Sequence, residues 1–122
     1  MVTNSARIDG KLKVFISSKM AELRDVREVV ASALDAKGIH AWVYEADAGA
    51  RPDGVVETSL RGVDEADVYV GLFWEKHGDV TAQEYRYARQ LGKPCFIYIR
   101  DKDLPRDRAL EDFLKAEVYD LQ

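Results

Sequence analysis

The sequence predicts a three-layer α/β fold with a flavodoxin-like parallel β-sheet, and three observations carry that prediction. Short apolar runs alternate with amphipathic stretches of about three helical turns. No two strand-like runs are joined by a tight hairpin turn, so crossovers must connect them and the strands must run parallel. The run from Val68 to Trp74 is almost entirely apolar, as a strand buried on both faces requires. A chain of 122 residues holds one hydrophobic core of this kind and is too short for two ordinary domains.

The elements follow in order. Leu12 to Ser18 is a β-branched and aromatic run ending in two serines, and reads as the first strand. Leu23, Val26, Val30, Ala33 and Leu34 recur at helical spacing, with Arg24, Asp25, Arg27 and Glu28 between them, and Gly38 stops that helix. Ile39 to Tyr44 is the second strand. Ala46 to Asp53, with its Gly, Pro and two Asp, is a loop. Val56, Leu60 and Val63 mark a helix from Gly54 to Glu65, and Val68 to Trp74 is the third strand. A short loop, Glu75 to Val80, leads to a helix from Thr81 to Leu91 closed by Gly92. Pro94 to Ile99 is the fourth strand, Arg108 to Lys115 a last helix, and Val118 to Leu121 a candidate fifth strand at the sheet edge. The expected strand order is 2-1-3-4, and ligands in such sheets bind outside the carboxyl ends of the strands.

Composition narrows the function. A hydrophobic fraction of 47% and a charged fraction of 33% fit a globular domain, and no apolar run approaches the roughly 20 residues of a membrane span. Met1 to Gly10 lacks the apolar stretch of a signal peptide and reads as a disordered leader. Cys95 is the single cysteine and lies in an apolar strand, so a buried structural thiol is expected there; with only His40 and His77 beside it, no metal site is expected either. The cytoplasm is the expected compartment. A net charge of −4, with no basic stripe, argues against nucleic acid as a partner. No glycine-rich phosphate loop of the Walker or dinucleotide type is present, which disfavours an ATPase, kinase or Rossmann dehydrogenase.

The carboxyl-edge rule selects the candidate site residues, and each has a plain structural reading beside the functional one. Ser17 and Ser18 can hold phosphate or ribose, or cap the first helix. Arg51 can pair with a pyrophosphate, or stay solvated. Phe73 and Trp74 can stack on a base or nicotinamide ring, but strand alternation turns one of them into the core. Thr81 and Glu84 form a Thr-x-x-Glu capping box, which places Glu84 in the first helical turn, where the helix dipole favours an ionised carboxylate by about 0.3–1 kcal/mol. Tyr69 and Tyr87 read as packing residues.

Three segments together resemble a known family: Lys13–Ser18 (KVFISS) followed by Leu23–Asp25, Asp64–Gly71 (DEADVYVG), and Thr81–Ala88 (TAQEYRYA) followed by Leu91–Pro94 (LGKP). They resemble the domain of unknown function numbered 4062, whose members commonly form the N-terminal module of larger proteins with NACHT-type ATPase or tetratricopeptide regions. The resemblance implies a fold similar to Toll/interleukin-1 receptor (TIR) domains and nucleoside 2-deoxyribosyltransferases. It also implies a catalytic role for Glu84, because in both relatives a glutamate near the start of the helix after strand three acts on an N-glycosidic bond. Asp79–Glu84 (DVTAQE) is similar to the deoxyribosyltransferase nucleophile segment. The loop before Thr81 is short for the family, which reduces the substrate wall built from it. Three functions follow as expectations: a glycohydrolase with NAD as substrate, active when copies of the domain assemble; a non-catalytic self-association or docking module serving the C-terminal domains of a larger protein; and, more weakly, a nucleoside deoxyribosyltransferase.

Overall fold

The structure, a computed structural model, describes residues 12–19, 23–42, 55–100 and 103–119. The expected leader Met1 to Gly10, the loop Ala46 to Asp53 with Arg51, and the pair Asp101 and Lys102 lie outside the described residues.

The first strand, β1 (Leu12–Ser18), leads to helix α1 (Arg24–Asp35) and strand β2 (Ile39–Trp42). Helix α2 (Val55–Glu65), strand β3 (Val68–Phe73), helix α3 (Asp79–Gln90), strand β4 (Cys95–Ile99) and helix α4 (Arg108–Phe113) follow. All strand pairs are parallel and the order is β2-β1-β3-β4, as the alternation predicts. The register sets Ser17 opposite Gly71 and Ser18 opposite Leu72, so the two serines and the end of β3 share the carboxyl edge.

Two apolar layers sandwich the sheet. Phe15, Tyr69 and Phe73 pack one face against Val63 of α2, Tyr85 and Ala88 of α3, and Leu110 and Phe113 of α4. Val14, Ile16, Ala41 and Leu72 pack the other face against α1 through Leu23, Val30, Ala31 and Leu34. Close approach of α2 depends on Gly62, where a Cβ would lie 2.8 Å from the Trp42 ring and 2.9 Å from Phe15. Gly38 and Gly92 take positive φ after α1 and α3, which explains the helix stops read at those positions.

Three expectations are corrected. Helix α1 is rotated relative to the stripe read from the sequence: Arg27 is buried, whereas Val26 and Ala33 are exposed and Val29 is 69% exposed. Helix α3 begins two residues before Thr81, with Gly78 as its N-cap and no side-chain cap. Val118 and Tyr119 do not begin a strand. Leu114–Val118 continues α4 as a π-helical turn, because Leu114 and Val118 complete the apolar layer under Tyr85 and Phe113. That turn also sets Glu117 against Arg86, which donates to it at 2.8 and 2.6 Å. Among the described residues no helix is long and apolar enough to cross a membrane.

Candidate functional site

Alternation along β1 sends its two terminal serines to opposite faces. Ser17, on the α2/α3 side, donates from Oγ to Glu84 Oε1 at 2.6 Å. Ser18, on the α1 side, accepts from Arg27 Nη1 at 2.6 Å, and the same nitrogen donates to the Lys19 carbonyl at 3.2 Å. A cleft of about 280 Å³ opens between these strand ends and the start of α3, lined by Ser18, Lys19, Gly78, Asp79, Val80, Thr81 and Glu84.

Glu84 is only 7% exposed. With the helix starting at Asp79, it sits at the sixth helical position, not the third. It is therefore no partner in a capping box, and it lies beyond the turn where the dipole acts. Burial pushes its carboxyl up from 4.5 to about 7, while hydrogen bonds from Ser17 and Ser59 and the charge of Arg27 pull it down without offsetting burial. That net displacement corresponds to about 3 kcal/mol, which exceeds the dipole effect expected from the sequence.

The candidate residues divide by place. Glu84, Thr81 and Ser18 border the cleft, and Ser17 holds Glu84 from behind. Phe73 is buried, with its ring centroid 5.5 Å from Phe113 and 6.2 Å from Tyr85. Trp74 is half-buried on the α1 face. Neither ring lines the cleft. Arg51 lies outside the described residues.

Three contributors escape a sequence reading that assigns apolar residues to the interior. Arg27 is 2% exposed, yet its signal was present: it falls four residues after Leu23 and four before Ala31, in phase with the buried stripe. Ser59 belongs to a buried face of α2 with Thr58, Gly62 and Val63, and buried Ala66 follows just past the helix end. Asp107 caps α4 by accepting from Leu110 N at 2.8 Å, and also accepts from His77 N at 3.1 and 3.2 Å. Its own amide donates to the Glu75 carbonyl at 2.7 Å. The short loop that begins at Glu75 is thus tied to the start of α4 at both Glu75 and His77.

Over residues 13–119 the sequence matches the family described as Domain of unknown function (DUF4062). The chain belongs to that family. The DUF4062 fold is shared with solved structures of low sequence identity. TIR domains of the activated Roq1 resistosome, which directly recognises the pathogen effector XopQ, match with TM-score 0.65 and 15% identity, covering 92% of this chain and 75% of that one. A 2-desoxiribosyltransferase from Leishmania mexicana matches with TM-score 0.60 and 15% identity, over 74% of this chain but only 65% of the enzyme's. The CMP N-glycosidase BcmB of Clostridium botulinum matches with TM-score 0.59 and 18% identity, over 88% of this chain and 98% of the glycosidase. At these identities the likeness establishes a TIR-like fold. No curated protein matches this DUF4062 domain in sequence.

Proposed function

We propose that this domain is a TIR-like module that hydrolyses the nicotinamide–ribose bond of NAD, or the equivalent bond of a related nucleotide, with Glu84 as the reacting carboxylate and with assembly of several copies as the trigger. One observation carries the reading. A buried acid, held by a serine, faces a cleft at the carboxyl edge of a parallel sheet. Two similarly folded proteins bear the names desoxiribosyltransferase and N-glycosidase, which supports the reaction class.

The chemistry asks little beyond that carboxylate. When the C1′–N bond breaks, its electron pair returns to the pyridinium nitrogen and nicotinamide leaves neutral, so no proton donor is required. The ribose carbon is left electron-poor. An ionised Glu84 beneath it either bonds to C1′, in a bond that water then displaces, or stabilises its charge until water adds; in both cases the water gives up one proton, to the carboxylate or to solvent. With its carboxyl pushed up to about 7, Glu84 exchanges its proton near neutral pH, and the ionised form is within reach there. A cationic nicotinamide ring above it favours the ionised form further.

A second reading, a non-catalytic docking module, is favoured by Phe96 and Tyr98, which are 54% and 59% exposed on the edge strand β4. Nicotinamide release from NAD, measured on the domain fused to an oligomerising scaffold, separates the two. Turnover that Glu84→Gln abolishes supports the enzyme, and no turnover in the forced oligomer supports the docking module.

A further inference from the structure

Behind Glu84 lies a second hydroxyl that neither the cleft nor the core explains. Tyr69 is fully buried, stacked against Phe15 and edge-on to Tyr85. Its ring leans along β3 over Gly71, where a Cβ would stand 3.0 Å from Cε1. Gly71 is the register partner of Ser17, so this lean carries the phenol toward the serine that holds Glu84. The Tyr69 hydroxyl is sealed from solvent; among the described residues it interacts with the Ser17 side chain without closing a hydrogen bond of standard geometry. A phenylalanine would fill the same space without the cost of an unsatisfied buried hydroxyl.

We infer that Tyr69 is a positioning residue that acts on Glu84 through Ser17, its phenol donating to Ser17 Oγ and so committing the serine's proton to the carboxylate. A serine hydroxyl has one proton and two lone pairs. Ser17 spends its proton on Glu84 Oε1, so it can only accept from Tyr69. The phenol keeps its proton and so stays a donor: burial raises its pKa well above the ordinary value, the Ser17 hydroxyl pulls it down by less, and the nearby Glu84, Cys95 and Tyr85 raise it further. A donor chain ending on a carboxylate strengthens as the carboxylate gains charge. The chain therefore favours the ionised Glu84, alongside Arg27 from α1 and Ser59 from α2, and against burial. The nearby cleft charges are Lys19 and Asp79.

The inference rests on the proposed role of Glu84 for its importance, so its test reads the carboxyl directly. The Glu84 side-chain carboxyl is titrated by carbon-13 NMR in the wild type, Tyr69→Phe, Ser17→Ala and the double variant. Tyr69→Phe is expected to raise the midpoint from about 7 by about half a pH unit or more. It is expected to change nothing once Ser17 is alanine. Should Tyr69→Phe fail to fold, 3-fluorotyrosine at position 69, a stronger donor, is expected to lower the midpoint. An unmoved midpoint, or an equal shift without Ser17, overturns the inference whether or not the domain turns over NAD. A shifted midpoint with no turnover in a forced oligomer leaves the inference standing and removes the glycohydrolase reading.

Discussion

Glu84 holds its proton to about pH 7, whereas the same side chain in the unfolded chain releases it near 4.5. Between those values the folded state binds the extra proton, so stability falls as pH rises through that window. The loss is complete above pH 7 and amounts to about 3 kcal/mol. Glutamine mimics the protonated acid at every pH. Urea denaturation is therefore expected to find Glu84→Gln equal to wild type near pH 4.5 and more stable at pH 8, by up to about 3 kcal/mol. Equal stability at both values would mean that the carboxyl is not desolvated as described. Arg27 makes the converse case. Its guanidinium satisfies Ser18 Oγ and the Lys19 carbonyl in a buried setting, so Arg27→Met is expected to cost about 2 kcal/mol or more. It should also raise the Glu84 midpoint, since the Arg27 charge is one of the influences holding it down. An unchanged midpoint would show that Arg27 serves only the strand end. The place of Glu84 at the carboxyl edge was legible from the strand pattern and the family resemblance. Its protonation was not, because a capping-box pattern fits Thr81 and Glu84 equally well until Gly78 is known to start the helix. Arg27 stayed hidden because Val26 and Ala33, which also fit a helical stripe with Leu23 and Val30, compete with it for the apolar phase of α1.

At the scale of elements, the wall of the cleft depends on one side chain of another helix. Asp107 caps α4 and binds the His77 amide, while its own amide holds the Glu75 carbonyl. Asp107→Ala is expected to lower stability by about 1 kcal/mol, the usual scale for a lost N-cap. Amide exchange at His77 should quicken with it, as a merely local loss of the α4 cap would not require. The strands themselves were readable, because β-branched and aromatic residues concentrate in runs with helical periods between them. The C-terminal turn was not. Val118 and Tyr119 have the composition of a strand, but burial of Leu114 and Val118 beneath Phe113 and the Arg86–Glu117 pair favours a helical path. Phe73 and Trp74 were read correctly as opposed in direction. Neither ring borders the cleft, because Phe113 of α4 packs against Phe73 and the α1-side layer holds Trp74, long-range contacts that the sequence does not encode locally.

For the whole molecule, the decisive quantity is how much of the substrate one copy encloses. A cleft of about 280 Å³ lies just below the range for small-molecule sites, and a dinucleotide needs more wall than the described strand ends supply. Nicotinamide release per domain is therefore expected to climb with protein concentration and to be highest in a forced oligomer. Activity that stays high and flat down to dilute monomer would remove assembly from the mechanism. The central claim, that the Glu84 carboxylate acts on the glycosidic bond, is tested most directly by nicotinamide release from NAD in oligomer-forced wild type and Glu84→Gln, compared at pH 8 after both are shown to be folded. The expected result is turnover by the wild type and a fall of about a hundredfold or more in the variant. Release by Glu84→Gln at the wild-type rate would contradict it.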